Sequence, residues 1–489
     1  MVMLMKYKHW ALVCSLLLVG GVQAEKPNVL VFLVDDLGYM DIGANNPESF
    51  YETPNIDALA ASGVRFTDGY ASSPVCSPSR VSMLTGKYPT RVGTTHLFPG
   101  RKGYSGRSGK FDPAPFLSEL PLSETTLAEA LKTVGYSTFF AGKWHLGYGE
   151  DFRPQKQGFD INIGGWDRGG PYTGKRYFAP YKNPEIKEEG PAGEHLPARL
   201  AKETSKFIKE SGDQPFFAYL SFYSVHTPLM GRKDLIQKYK EKAVKTGNEK
   251  SDKDFETIPS ASGKTNKIRV KQTHTTYAAM VEAMDMAIGD VIETLKAEGK
   301  WENTIVVFTS DNGGLSTSEG LPTSNKPLNG GKGWMYEGGI REPWIIRYPG
   351  VTTEGTVSGT PISGIDLYPT IAAAAGYEAE PEVDGVDLAP LLSGSELKRE
   401  ALYWHYPHYS NQGGFPGGAI RMGDFKLLEN YEDGSVALYN LRKDVGEQVD
   451  LAAQMPEKVQ EMRTLLHAFY KKHGAKFLSS KGAEKAWRP

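Results

Sequence analysis

Cysteine is almost missing from this chain, with two residues in 489. Cys14 lies in an apolar run at the N-terminus and Cys76 in the body of the protein. Removal of that run leaves one cysteine, which excludes an internal disulfide and marks Cys76 for attention. An excess of charge of one sign is missing too. Against 56 Lys and Arg stand 58 Asp and Glu, a formal net charge of −2, so there is no electrostatic case for nucleic-acid binding. No internal repeat is present. The apolar run Trp10 to Val22 is short for a membrane span.

What is present begins with that run. Lys6 and Lys8 precede it, and Val22-Gln23-Ala24 is a small-residue cleavage site before Glu25. Residues 1–24 therefore read as a signal peptide, and the mature protein as exported, periplasmic or secreted, with no stable membrane insertion after cleavage. The length favours one large domain and one smaller one, with boundaries expected at 25–376 and 377–489.

Asn28 to Val34 is a continuous apolar, β-rich stretch of the kind buried on both faces of a sheet, and it runs into Asp35-Asp36. Thr53-Pro54-Asn55 opens a short helix that Gly63 closes. Thr126 and Glu129 form a capping box for a helix ended by Gly135. Further strands are expected over Tyr136 to Ala141, Pro215 to Tyr223 and Thr304 to Phe308, and helices over Ala198 to Glu210, Thr275 to Glu298 and Ile365 to Ala375. Leu97 to Pro121 and Gly149 to Pro197 read as long cleft-bordering loops. Lys233 to Lys271 reads as a solvated excursion or, alternatively, a basic rim for a polyanion. Lys326 to Pro343 reads as a Gly-rich loop. After Gly376 come four short strands, at Leu402 to Trp404, Ala419 to Arg421, Phe425 to Leu428 and Val436 to Tyr439, then an amphipathic helix from Pro456 to Lys472. The expected fold class is α/β: a large mixed, mostly parallel sheet sandwiched by helices, plus a small C-terminal antiparallel sheet with one helix.

The chemistry follows from where the strands end. Asp35-Asp36, Lys143 with His145, His226, and Asp311-Asn312 each stand just past a carboxyl end, the edge at which open α/β sheets bind ligands. Asp35, Asp36, Asp311 and Asn312 form an all-oxygen set suited to Ca²⁺ or Mg²⁺ rather than zinc. Lys143 and Lys332 can neutralise sulfate or phosphate oxygens, and His145 and His226 can move protons near neutral pH. Cys76 begins Cys76-Ser77-Pro78-Ser79-Arg80, followed by Val81, Met83-Leu84 and Thr85-Gly86. Pro78 suits a first helical turn, which puts Cys76 at a helix N-terminus beside the permanent cation of Arg80.

These segments resemble, in order, the motifs of the formylglycine-dependent (type I) sulfatases of the alkaline phosphatase superfamily, of the bacterial arylsulfatase A-like, polysaccharide sulfatase kind. The matching stretches are Asn28-Val29-Leu30 to Asp36, the Cys76 signature, Gly135-Tyr136 to His145, His226-Thr227-Pro228, Asp311-Asn312-Gly313 and Lys332 to Gly339. Arg421 to Leu427 and Leu438 to Leu441 resemble the family's C-terminal domain. The resemblance implies that Cys76 is oxidised to formylglycine by a formylglycine-generating or anaerobic sulfatase-maturating enzyme. It implies one Ca²⁺, with Mg²⁺ second, on Asp35, Asp36, Asp311, Asn312 and the modified Cys76. It implies sulfate held by Lys143, Lys332 and His226, attack by the aldehyde hydrate supported by Arg80, His226 as the acid for the leaving alcohol, and His145 as the base that releases sulfate.

Two further functions compete on the same superfold. Phosphonate or phosphodiester hydrolysis shares the metal site, but the Lys143/His145 and Lys332 segments favour sulfate. A catalytically dead glycan binder would lack a ligand or the cysteine, and none is missing. The expected substrate is a sulfated oligo- or polysaccharide, of galactose or N-acetylgalactosamine units as in chondroitin, dermatan or carrageenan chains, with another sulfated glycan or an aryl sulfate as the alternative. His405, His408 and Arg421, with Arg101, Arg107, Trp166 and Arg168, are the expected sugar contacts.

Overall fold

The structure, a computed structural model, describes residues 26–98 and 105–489. The expected signal peptide with Cys14, and Arg101, lie outside the described residues. The architecture is that of an α/β protein with a large mixed sheet and a separate C-terminal antiparallel sheet.

Strand β1 (Asn28–Val34) is the centre. All seven of its residues are buried. It pairs in parallel with β8 (Thr304–Ser310) on one side and β5 (Phe216–Ser221) on the other. Its apolar run is continuous because both faces are covered: Leu30, Phe32 and Val34 enter one core, and Val29, Val31 and Leu33 the other. The first core is completed by the helices Pro54–Ala61, Leu196–Glu210 and Thr275–Ala297, the second by Cys76–Thr85, Leu127–Thr133 and Leu367–Ala374. Beyond β5 the sheet continues in parallel with β3 (Ser137–Gly142) and β4 (Ile161–Ile163). Thr126 and Glu129 do form the capping box of the Leu127–Thr133 helix.

The sheet is mixed, as expected, but its other half contains strands that the sequence pattern does not mark. Strand β9 (Arg341–Arg347) runs antiparallel to β8 and to β2 (Val64–Tyr70), and the short β10 (Thr356–Ser358) and β11 (Ile362–Ser363) flank β2. The end of the supposed Gly-rich loop is thus a sheet strand. Arg341, Glu342 and Pro343 disguise it, but the register between β2 and β9 shifts between Phe66 and Gly69. That irregularity is where a proline without an N–H is tolerated. In β2, Arg65, Thr67 and Asp68 break the apolar pattern.

The lysine-rich segment is not a solvated excursion either. It holds a helix, Lys233–Thr246, and a hairpin of β6 (Phe255–Pro259) and β7 (Thr265–Arg269). Leu235, Tyr239 and Ala243 recur at four-residue spacing and are buried toward the Thr275–Ala297 helix. Lys238 and Lys242 are neutralised by Glu52 and Glu282.

The C-terminal sheet has the order β12 (Leu402–Tyr406), β13 (Gly417–Met422), β14 (Phe425–Asn430), β15 (Val436–Asn440), all antiparallel. The Pro456–Lys472 helix covers one face through Met462, Leu466, Phe469 and Tyr470. The sheet is tied to the segment before β9 by a fully buried ionic cluster. Lys426 Nζ lies 2.9 Å from carboxylate oxygens of both Glu337 and Glu447. Burial opposes the charge on Glu337, but Lys426 and Arg341 hold its carboxyl down at about 2. Replacing Lys426 by Met should therefore leave two buried carboxyls poorly compensated and cost about 3–5 kcal/mol. The check is a denaturant midpoint, and an unchanged one would remove this cluster from the coupling of sheet to sheet.

Candidate active site

Four adjacent parallel strands, β8, β1, β5 and β3, deliver their carboxyl ends to one edge. Asp311-Asn312, Asp35-Asp36, His226 and Lys143/His145 leave those ends in that order. Asp36 (φ 62°) and His145 (φ 61°) both take the left-handed backbone conformation. Non-glycine residues rarely do so, and the tertiary structure must hold them there.

The carboxylates of Asp35, Asp36 and Asp311 and the sulfur of Cys76 offer ligand atoms that all lie within 4.8 Å of one another, every one buried. Cys76 is the first residue of its helix, all ten residues of which are buried, and its Sγ is 3.6 Å from Asp35 Oδ1 and 3.9 Å from Asp36 Oδ1. Burial, then the Asp311 charge, pushes the thiol well above its ordinary range. Asn312 donates through Nδ2 to Asp36 Oδ1 at 2.8 Å, while its buried Oδ1 accepts no hydrogen bond. Burial together with Asp311 and Asp36 pushes the Asp35 carboxyl up to about 8 despite Lys143. Three crowded carboxylates and a spare amide oxygen fit a hard divalent cation, which would relieve their mutual repulsion.

Three protein cations share the cluster. Arg80 donates through Nε to Asp311 at 2.8 Å, and through Nη1 to the Lys143 carbonyl (2.8 Å) and Ser221 Oγ (2.7 Å). Lys143 spans both oxygens of Asp35 at 2.7 Å, and Lys332 lies 2.7 Å from Asp36 Oδ1. Lys332 lines the cavity, whereas Lys143 and Arg80, both buried, do not. Glycines let the Lys332 segment pack this closely: a Cβ on Gly313 would stand 1.9 Å from the Gly338 carbonyl oxygen.

The two histidines are both kept neutral. Burial, then Lys143 and Arg80, holds His145 well below its ordinary range. Its Nε2 is bonded to the Phe98 carbonyl, an acceptor, so Nε2 carries the proton and Nδ1, buried and without a partner, keeps its lone pair. Burial, then Lys332, lowers His226 to about 4. Its Nδ1 donates to the Thr227 carbonyl at 2.7 Å, which leaves Nε2, 3.7 Å from Asp36, toward the site.

Cys76, His145, His226 and Lys332 line a cavity of about 540 Å³ together with Arg107 and Arg168. Three expected sugar contacts are corrected. His405 is held by Tyr431 (2.7 Å) and the Lys476 carbonyl (2.9 Å) among Tyr470 and Phe477, on the face of β12 turned away from the cavity. His408 is wholly buried against Thr95 and stacked behind His96. Arg421 binds Tyr70 and Asp68 between the two sheets. Trp166 does not line the cavity; its carbonyl fixes the His145 backbone, and its ring carries Arg168. Sequence reasoning passed over His96, Tyr172, Glu319, Tyr409, Asn411 and Gln412, which do line it. Tyr172 lies in a loop expected to border the cleft, His96 just precedes one, and the other four carry no motif.

A Cβ on Gly169 would meet His145 Cε1 at 2.6 Å and Nε2 at 2.9 Å. Gly169→Ala should displace the imidazole and lower kcat by roughly tenfold or more, with little change in unfolding temperature. Unchanged kcat would show that the ring orientation does not matter.

Comparison with known proteins agrees with this geometry. The sulfatase family model matches residues 27–377, and the model described as N-sulphoglucosamine sulphohydrolase, C-terminal, matches 331–473. A sulfatase of Formosa agariphila is 32% identical, covering 89% of this chain and 86% of that protein. Human N-acetylgalactosamine-6-sulfatase is 34% identical over 78% of this chain and 68% of its own length. The solved structure of Ps i-CgsB in complex with k-i-k-neocarrahexaose superposes with a TM-score of 0.73 at 28% identity, covering 91% and 92% of the two chains. The chain belongs to the sulfatase family of the alkaline phosphatase superfamily and is a sulfuric ester hydrolase.

Proposed function

We propose that this enzyme removes sulfate from a sulfated oligo- or polysaccharide, with galactose or N-acetylgalactosamine sulfate units of the chondroitin, dermatan or carrageenan type as its preferred class. The observation that carries this reading is that Cys76, Lys332, His145 and His226 line one cavity while three buried carboxylates cluster with Cys76 within 4.8 Å. The sugar class is supported by the N-acetylgalactosamine-6-sulfatase relative and by the oligosaccharide bound to Ps i-CgsB. We further propose that the chain is exported, to the periplasm or medium, and is matured at Cys76 by a formylglycine-generating or anaerobic sulfatase-maturating enzyme.

Asp35, Asp36, Asp311 and Asn312 would hold Ca²⁺, or less readily Mg²⁺. The ion would polarise the sulfate, and the formylglycine hydrate would supply the attacking hydroxyl. The rest falls to the chain's own residues. Lys332, on the cavity wall, would meet the non-bridging oxygens, and Lys143 and Arg80 set the positions of Asp35 and Asp311. His226 Nε2 is the atom placed to protonate the leaving oxygen. In the free enzyme burial, then Lys332, discourages that proton, and a bound sulfate ester would offset the lysine's share of the effect. His145 lines the cavity with Cys76, and its Nδ1, left with a lone pair by the Nε2–Phe98 contact, would take a proton at the Cys76 position.

The reading is tested by sulfate release from a panel of sulfated galactans and glycosaminoglycans and their oligosaccharides, with a phosphodiester as control. Release from a galactose- or N-acetylgalactosamine-sulfate chain is expected, and turnover of the phosphodiester alone would overturn the proposal. Cys76→Ala should abolish turnover with the fold retained, and a hydrazide probe should label the wild type but not this variant. Residual activity would remove Cys76 as nucleophile. Lys332→Ala should lower kcat by roughly 10²–10³. Asp311→Ala should lose bound metal by elemental analysis, and unchanged metal content would take Asp311 out of the ligand set.

A further inference from the structure

One carboxylate in the cavity has no part in sulfate chemistry. Glu319 lies in the segment after β8 and takes a left-handed conformation, φ 51°, which an L-residue adopts only when its surroundings hold it there. Three donors from two other segments hold its side chain. Thr227 Oγ1 donates to Oε2 at 3.1 Å, and Asn411 Nδ2 and Gln412 Nε2 donate to Oε1 at 2.8 and 3.0 Å. Thr227 follows His226, and Asn411 and Gln412 belong to the loop after β12, so the carboxylate is fixed relative to the reacting centre from both sides. Glu319, Asn411 and Gln412 all line the cavity with Lys332 and His226.

A carboxylate offers about four acceptor positions and no donor while ionised. Three are occupied here, two of them on Oε1, so Oε2 keeps room for one more donor. In a cavity whose other charges, Lys332, Arg107 and Arg168, attract anions, a fixed anion penalises any ligand that does not bring it a donor. This is the repulsive element by which a site separates close analogues.

Resting on the sulfated-carbohydrate reading above, we propose that Glu319 is a specificity-determining residue, which accepts a hydrogen bond from a free hydroxyl of the sugar beside the scissile ester and rejects sugars sulfated at that hydroxyl. Its place in the cavity that Lys332 also lines ties the selection to the sulfate being cleaved, and Asn411 and Gln412 serve to aim it.

The test compares kcat/KM on a matched pair: the best monosulfated substrate of the panel and its counterpart sulfated at the neighbouring hydroxyl, beginning with N-acetylgalactosamine 6-sulfate and 4,6-disulfate. The wild type should prefer the monosulfated member. Glu319→Gln keeps the size and one acceptor but removes the charge, and should shift the ratio toward the disulfated member by roughly tenfold or more, chiefly through KM. If Glu319 only tethers the Asn411–Gln412 loop, Glu319→Gln and Glu319→Ala will slow both substrates equally, and the unchanged ratio overturns the proposal. A wild type that prefers the disulfated member overturns it as well. Absence of sulfate release from every member of the panel would bring down the functional reading itself, whereas release with an unaltered ratio brings down only the role of Glu319.

Discussion

The structure turns on three carboxylates held together without exposure to water. Asp35, Asp36 and Asp311 are all buried, and burying like charges side by side is costly unless opposite charge enters with them. Arg80, Lys143 and Lys332 supply it at 2.7–2.8 Å. Each arrives from a different part of the chain, so the charge balance exists only when the Cys76 helix, the end of β3 and the glycine-rich segment before β9 are all in place. In the same cluster Asn312 Nδ2 reaches Asp36, and Asn312 Oδ1 is buried with nothing donating to it. A divalent ion answers both the repulsion and the spare oxygen.

Everything around the cluster serves to hold these segments in register. The two cores on either face of the sheet fix the heights at which β8, β1, β5 and β3 end, and thereby bring residues far apart in sequence to a single edge. The C-terminal sheet does more than close the fold. Its Lys426 locks the stretch that carries Lys332 onto β14 through Glu337, and its loop after β12 brings Tyr409, Asn411 and Gln412 to the cavity wall. The part of the cavity that meets the sulfate therefore comes from the large sheet. The smaller sheet supplies part of the wall that a leaving sugar would face.

Much of this arrangement was legible in advance, for identifiable reasons. Asn28 to Val34 announced a doubly buried strand because no polar residue interrupts it, and polar pairs at the ends of four such strands announced a shared edge. Strands β2 and β9 were hidden because Arg65, Asp68, Arg341 and Glu342 break the apolar pattern; Arg341 meets Asp68 across the fold at 3.2 Å, whereas the buried Glu342 carboxyl has no hydrogen-bond partner. The Lys233–Thr246 helix was hidden by its lysines, although Leu235, Tyr239 and Ala243 already had helical spacing. His405, His408 and Arg421 looked like sugar contacts because they are polar residues close in sequence to the cavity-lining Tyr409 or in a family-like motif. Packing turned them inward, His405 by the alternation of β12 that sends Trp404 and Tyr406 to the opposite face.

The sequence by itself determined the α/β class, the edge at which chemistry gathers and the residue types assembled there, because periodicity and strand-end position are local properties of the chain. Only the tertiary structure decided which cations line the cavity and which do not, which nitrogen of His145 keeps a lone pair, and that Glu319 stands on the cavity wall. Those outcomes depend on contacts between segments hundreds of residues apart, Lys332 with Asp36 or Gln412 with Glu319, and no pattern along the chain records such a meeting.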